Sequence, residues 1–156
     1  MAYKGFFHPQ NPKKYIGDAT KIVYRSSWEC KFMSRLDRDP NVISWASEEL
    51  FIPYISPIDN RGHRYFPDFL VKVKTKDDKI RVMLIEIKPH KQAIPPLQRK
   101  RMTKQYLSEI TTWGVNQAKW KAAIEFCKDR QWEFVVMTSM DGISYKLLGE
   151  NDLNLT

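Results

Sequence analysis

A chain of 156 residues and 18.5 kDa that is 42% hydrophobic can bury a core without disulfides or a structural metal, which excludes general disorder. Two cysteines, Cys30 and Cys127, exclude a disulfide scaffold and any paired-cysteine zinc site, and no apolar run approaches the length of a membrane span. Lys and Arg (26) outnumber Asp and Glu (18), for a net charge of +8, so a polyanionic partner is expected.

The chain reads as one domain over 1–156, with an irregular N-terminal arm over 1–20, a core over 21–138, and a C-terminal strand and tail over 139–156. The stretch from Met1 to Pro9 has no long apolar region, so no signal peptide is expected and the setting is intracellular. Ser26-Ser27-Trp28-Glu29 opens a helix that runs to about Arg38, with Trp28, Phe32 and Leu36 forming one stripe. Asp39-Pro40-Asn41 stops it. Strand-like residues follow from Val42 to Ile52, then Pro53, Pro57 and a turn at Asp59-Asn60-Arg61-Gly62. Arg64–Lys74 and Ile80–Lys88 read as a hairpin around the polar Thr75-Lys76-Asp77-Asp78-Lys79. Pro67 must sit at an edge, a bulge or a strand start. A basic helix is expected from about Leu97 to Thr111, interrupted by Gly114, with a second helix over about Val115 to Lys128. Phe134-Val135-Val136-Met137 reads as a buried strand and Ile143–Leu148 as a weaker last one. This order predicts an α/β domain with a mixed sheet between helices.

The hairpin holds the chemistry. Side chains alternate along a strand, so Glu86 and Lys88 share a face. Pairing Asp68 with Glu86 centres the hairpin on residue 77, inside the expected turn. The two carboxylates then share a face only if paired residue numbers add to an even value, which needs a loop of three or five residues. Opposed carboxylates repel, and a divalent cation between them reverses the sign. Carboxylate oxygens suit Mg²⁺, with water and substrate phosphate completing its shell. Lys88 is placed to orient or deprotonate a water, or to neutralise charge on a phosphate. Solvent-facing Glu/Lys cross-strand pairs are the competing explanation of the same residues.

Pro67-Asp68 followed by Glu86-Ile87-Lys88 resembles the motif of the PD-(D/E)XK nuclease superfamily, whose αβββαβ core also matches the element order. The resemblance implies a restriction-endonuclease-like fold and phosphodiester hydrolysis with Mg²⁺, for which Mn²⁺ can substitute. It implies Asp68 and Glu86 as metal ligands with the Ile87 backbone carbonyl, Lys88 beside the water, and Glu29 as a first-helix carboxylate. Asn116-Gln117-Ala118-Lys119-Trp120, with Trp132-Glu133-Phe134, resembles the endonuclease subunits of heteromeric transposases. Asn11-Pro12-Lys13-Lys14-Tyr15-Ile16-Gly17-Asp18, with Tyr24-Arg25-Ser26-Ser27-Trp28-Glu29, resembles the head-completion nucleases of T-even-type tailed phages, over nearly the whole chain. That likeness implies action on packaged DNA or its ends, head or portal-vertex proteins as partners, and a place in the host cytoplasm or on the virion. It implies neither a membrane nor a small-molecule cofactor. A non-catalytic DNA-end-binding or capsid-neck protein on a nuclease fold is the rival reading, and a transposition or restriction subunit is a third.

Eleven Lys/Arg against three acidic residues between Lys72 and Lys104 account for the whole net charge. Lys91, Arg99, Lys100, Arg101 and Lys104, with Lys119 on the following helix, are the candidate phosphate contacts. His8, His63 and His90 are scattered without zinc-ligand spacing. Cys30 and Cys127 fall on expected helices as small core residues. Trp28, Trp120 and Trp132 are expected in the core. Glu29 is contested, because Ser26-x-x-Glu29 also fits a capping box.

Overall fold

The computed structural model describes residues 4–138, 146–153 and 155. Helix α1 (Ser27–Arg38) starts where the Ser26 hydroxyl accepts the Glu29 amide at 3.1 Å, as a Ser N-cap should. It stops at Asp39, ahead of Pro40. Met33 and Leu36 are buried, Trp28 stacks on Phe32, and Phe32 meets Phe69 edge-on at 4.9 Å. Of the expected stripe Trp28, Phe32 and Leu36, only Leu36 is buried; Trp28 and Phe32 are half-buried, and Met33, outside that stripe, is buried beside Leu36.

Five strands form the central sheet: β3 (Val42–Ser47), β6 (Phe69–Lys74), β7 (Ile80–Ile87), β8 (Glu133–Thr138) and β9 (Lys146–Leu148), in the order β3-β6-β7-β8-β9. Only β7 and β8 run parallel. Helix α2 (Lys104–Arg130) makes the crossover between them. The succession α1-β3-β6-β7-α2-β8 is the αβββαβ order of a restriction-endonuclease-like fold. Alternation divides the core between the two faces. Phe69, Val71 and Ile85 pack with Met33, Leu36 and Trp45 on one side. Leu84, Phe134 and Val136 pack with Trp120, Ala123 and Cys127 of α2 on the other.

The β6–β7 register runs from Phe69↔Ile85 to Lys74↔Ile80 around the five residues Thr75–Lys79, with Asp78 left-handed at φ 61°. Paired numbers add to an even value, so Asp68 and Glu86 stand at the next position beyond the ladder. The expected register holds.

Four expected elements are corrected. The stretch Arg64–Lys74 is two strands. β5 (Gly62–Tyr65) pairs with β4 (Ile52–Ile55) in a separate hairpin that packs on α2, and Phe66-Pro67 breaks the chain before β6. Pro67 has no N–H to give a ladder, so the strand cannot run through it. Strand β3 ends at Ser47, because Glu48 turns left-handed at φ 52°. Of the helix expected from about Leu97 to Thr111, only the part from Lys104 exists, as the start of α2, while Leu97, Arg99, Lys100 and Arg101 lie on irregular chain. Leu97 is 80% exposed, so this stretch had no apolar face to bury. Helix α2 begins only at Thr103, whose hydroxyl accepts the Tyr106 amide. It then runs through Gly114 without a break. A helical glycine costs about 1 kcal/mol relative to alanine, and the packing of Asn116, Trp120, Ala123 and Ile124 offsets it. The left-handed Gln131 closes the helix.

The arm wraps the α1 side. β1 (Gly5–Phe6) pairs with β2 (Val23–Tyr24), and the rings of Phe7 and Tyr15 lie edge-on to Trp45. Buried Asp37 accepts the Gln10 and Asn11 amides at 2.8 and 3.0 Å, while the Lys14 ammonium caps the Asp37 and Asp39 carbonyls. Of the last expected strand, only Lys146–Leu148 falls within the described residues. Among those residues no helix is long and apolar enough to cross a membrane.

Candidate active site

The site forms where β6 and β7 part from their ladder. Glu86 comes near the end of an apolar strand and is 6% exposed. Asp68 precedes β6, and its Oδ2 accepts the Ile87 amide at 2.7 Å. Asp68 stands opposite Glu86 at the register position beyond the ladder, and its charge acts on Glu86. Burial, then the Asp68 charge, pushes Glu86 up to about 8. Burial also raises Asp68, against the pull of the Ile87 amide. The pair therefore holds a proton near neutrality. The Lys88 charge acts on both carboxyls and favours their ionised forms. The Lys88 amide donates to the Met137 carbonyl at 3.1 Å, which fixes its backbone against β8. The Ile87 carbonyl points the same way as its N–H in a pleated strand, towards Asp68.

Glu29 approaches from the start of α1. Its Oε2 accepts the Arg25 amide at 3.2 Å, one residue before the cap, so the reciprocal bond of a capping box goes to Arg25 instead of Ser26. Burial raises its pKa first, and the nearby negative charges of Asp68 and Glu48 raise it further. Glu29 thus belongs to the helix start and to the carboxylate field together.

Sequence reasoning missed three residues here. Tyr65 donates its hydroxyl to Glu86 Oε2. Glu48 sits left-handed beside the site, with its amide on the Asp68 carbonyl at 3.2 Å. Arg25 pairs with Glu48 at 2.5 Å. No periodicity signals any of these. Tyr65 and Asp68 are three residues apart, so a regular strand would place them on opposite faces. The break at Phe66-Pro67 changes the parity and lets both meet Glu86.

The donor set fits a hard divalent cation. Among the described residues, no three His, Cys, Asp or Glu side chains converge as ligands. Mg²⁺ needs only one or two carboxylates when substrate phosphate and water supply the rest. Buried Glu86, holding its proton opposite half-buried Asp68, offers the carboxyl from which a cation would displace a proton.

The basic residues divide. Lys119 lies beside the site, its ammonium 5.6 Å from the Tyr65 ring centroid and 5.9 Å from that of Tyr54. Lys91 is exposed three residues beyond Lys88, Lys100 and Arg101 are exposed along the irregular approach to α2, and Lys104 is exposed at its first turn. Arg99 is paired with Glu109 at 2.9 Å. At the far hairpin tip Lys74 pairs with Asp78, Lys79 with Asp77, and Arg81 with Glu133. His63 is engaged by Asp59, outside the carboxylate pair. Trp45 and Trp120 are fully buried in the core.

Comparison with known proteins gives two matches. Residues 39–139 match the family described as TnsA-like endonuclease N terminal, a span that holds Asp68, Glu86 and Lys88 and stops short of Glu29. The chain is 41% identical over 147 residues to the head completion nuclease of Enterobacteria phage T4, covering 92% of this chain and 95% of that relative. No solved structure matches.

Proposed function

The chain belongs to the TnsA-like endonuclease family, and from that premise we propose that it is a divalent-metal-dependent DNA endonuclease of PD-(D/E)XK type, acting in phage head completion on packaged DNA or its ends. Mg²⁺ is the proposed metal. The observation that carries this reading is half-buried Asp68, held by the Ile87 amide, standing opposite buried Glu86 with the Lys88 charge acting on both. A neck protein with a purely structural role would gain nothing from burying Glu86 opposite a second carboxyl.

Asp68 and Glu86 would hold the metal, with the Ile87 carbonyl on the same side. When bound, the cation supplies charge to polarise the phosphodiester and to lower the pKa of a water. Asp68 is kept in place by the Ile87 amide. The Lys88 ammonium orients the attacking water and offsets charge building on the phosphate. Glu29 completes the carboxylate field from α1. Lys119, Lys91 and the Arg99–Lys104 stretch hold the DNA backbone by charge, which positions the duplex without reading its sequence. The proposed partners are DNA and proteins of the phage head or portal vertex, in the infected host cell.

The test is incubation of the purified chain with supercoiled plasmid in Mg²⁺, in Mn²⁺ and in EDTA. Nicked and linear products should form with either metal and not in EDTA. A preparation that binds DNA tightly and cuts it under none of these conditions would favour the neck-protein reading.

A further inference from the structure

Glu86 is held from two sides, and only one of them belongs to the nuclease motif. On the other side is Tyr65, from the separate β4–β5 hairpin. Its hydroxyl donates to Glu86 Oε2. Tyr65 is 4% exposed and packs in the same core cluster as Trp120 and Ala123 of α2. The Lys119 ammonium lies over its ring. The hairpin is anchored on α2 through Ile52, which is also buried in that cluster. A phenol fixed this firmly gives its acceptor little freedom. One Glu86 oxygen is engaged by a donor, and that donor sits on a buried, packed ring.

Resting on the metal-site reading above, we propose that Tyr65 is the positioning residue of Glu86, selecting the carboxylate orientation that receives the divalent cation. Hydrogen-bonding partners of ligating carboxylates commonly govern metal affinity in this way. The β4–β5 hairpin is then part of the metal site, although it stands outside the five-stranded sheet and carries no ligand itself. The chain break at Phe66-Pro67 is what allows it. A continuous strand would turn Tyr65 away from Glu86.

The test is Mn²⁺ binding by titration calorimetry on the full chain, without DNA, for wild type, Tyr65→Phe and Tyr54→Phe. Tyr65→Phe removes one hydroxyl and keeps the ring. Its Kd for Mn²⁺ should rise about tenfold or more. Tyr54→Phe lies under the same lysine and makes no contact with Glu86 recorded in this structure, so its Kd should match wild type. DNA affinity in EDTA should be equal for all three. Wild-type Mn²⁺ affinity in a folded Tyr65→Phe protein would overturn the inference while leaving the metal site standing. Failure of wild type to bind Mn²⁺ would overturn both. If Tyr65→Phe does not fold, wild-type protein with labelled tyrosine rings gives the answer by NMR. The Tyr65 ring resonances should shift with Mg²⁺ at the same midpoint as calorimetric binding, and resonances that stay fixed would overturn the inference.

Discussion

Glu86 carries a sign that can be measured. Its folded-state pKa is raised to about 8 by burial and by Asp68, whereas an unfolded chain releases that proton near 4.5. Between those values the folded state holds more protons, so stability is complete below the lower value and is lost as pH rises through the upper one. Asp68 is shifted in the same direction. The metal-free protein should therefore unfold at lower urea concentration at pH 8.5 than at pH 5.5. Glu86→Gln should remove most of that difference, and a wild-type midpoint that rises with pH would contradict the assignment. Glu29 is separated by a different substitution. Gln can still accept the Arg25 amide that Glu29 binds. Glu29→Gln should keep its melting temperature within the effect of a weakened cap, about 1 kcal/mol or less, and lose most of its cleavage. Normal cleavage would return Glu29 to the helix start alone. Asp68, Glu86 and Lys88 were legible in the sequence because strand alternation and an odd loop bring them to one face. Tyr65 and Glu48 were not, because a proline break and a left-handed residue place them, and neither leaves a periodic trace.

At the scale of elements, the basic block splits into two parts with different partners. The hairpin tip begins six residues from the carboxylate pair, about 20 Å along the strands, and its Lys74, Lys79 and Arg81 are already paired with acids. From Lys88 to Lys104 the chain has six Lys/Arg and no acid, although Arg99 is paired with Glu109 on α2 and would have to exchange that partner for a phosphate. Arg99→Ala, Lys100→Ala and Arg101→Ala together should flatten the salt dependence of DNA binding, each lost phosphate contact removing about 0.9 from the log–log slope on duplex DNA. Lys76→Ala with Lys79→Ala should leave that slope unchanged. Equal effects would mean that the tip also meets DNA. The misread helix over 97–103 has a physical reason. Helix-favouring residues were present, but no apolar partner was, and isolated helices this short do not persist in water. Gly114 misled in the opposite direction, since packing against β4 and β8 outweighs its propensity.

For the whole molecule, the αβββαβ order was legible because most strands are apolar runs between turn residues and the helix faces keep their period. The separate β4–β5 hairpin was not, although the Asp59-Asn60-Arg61-Gly62 turn that closes it was read, because Pro53 falls inside β4 and masks that strand. In the proposed function, one carboxylate pair on this scaffold serves DNA cleavage while a separate cationic surface serves DNA binding. The most direct test follows plasmid nicking in Mg²⁺ and DNA retention in EDTA on the same preparations of wild type, Asp68→Asn, Glu86→Gln and Lys88→Ala. The three variants should bind DNA as wild type does and fail to cut it. Wild-type nicking by all three, or wild-type cleavage that persists in EDTA, would contradict it.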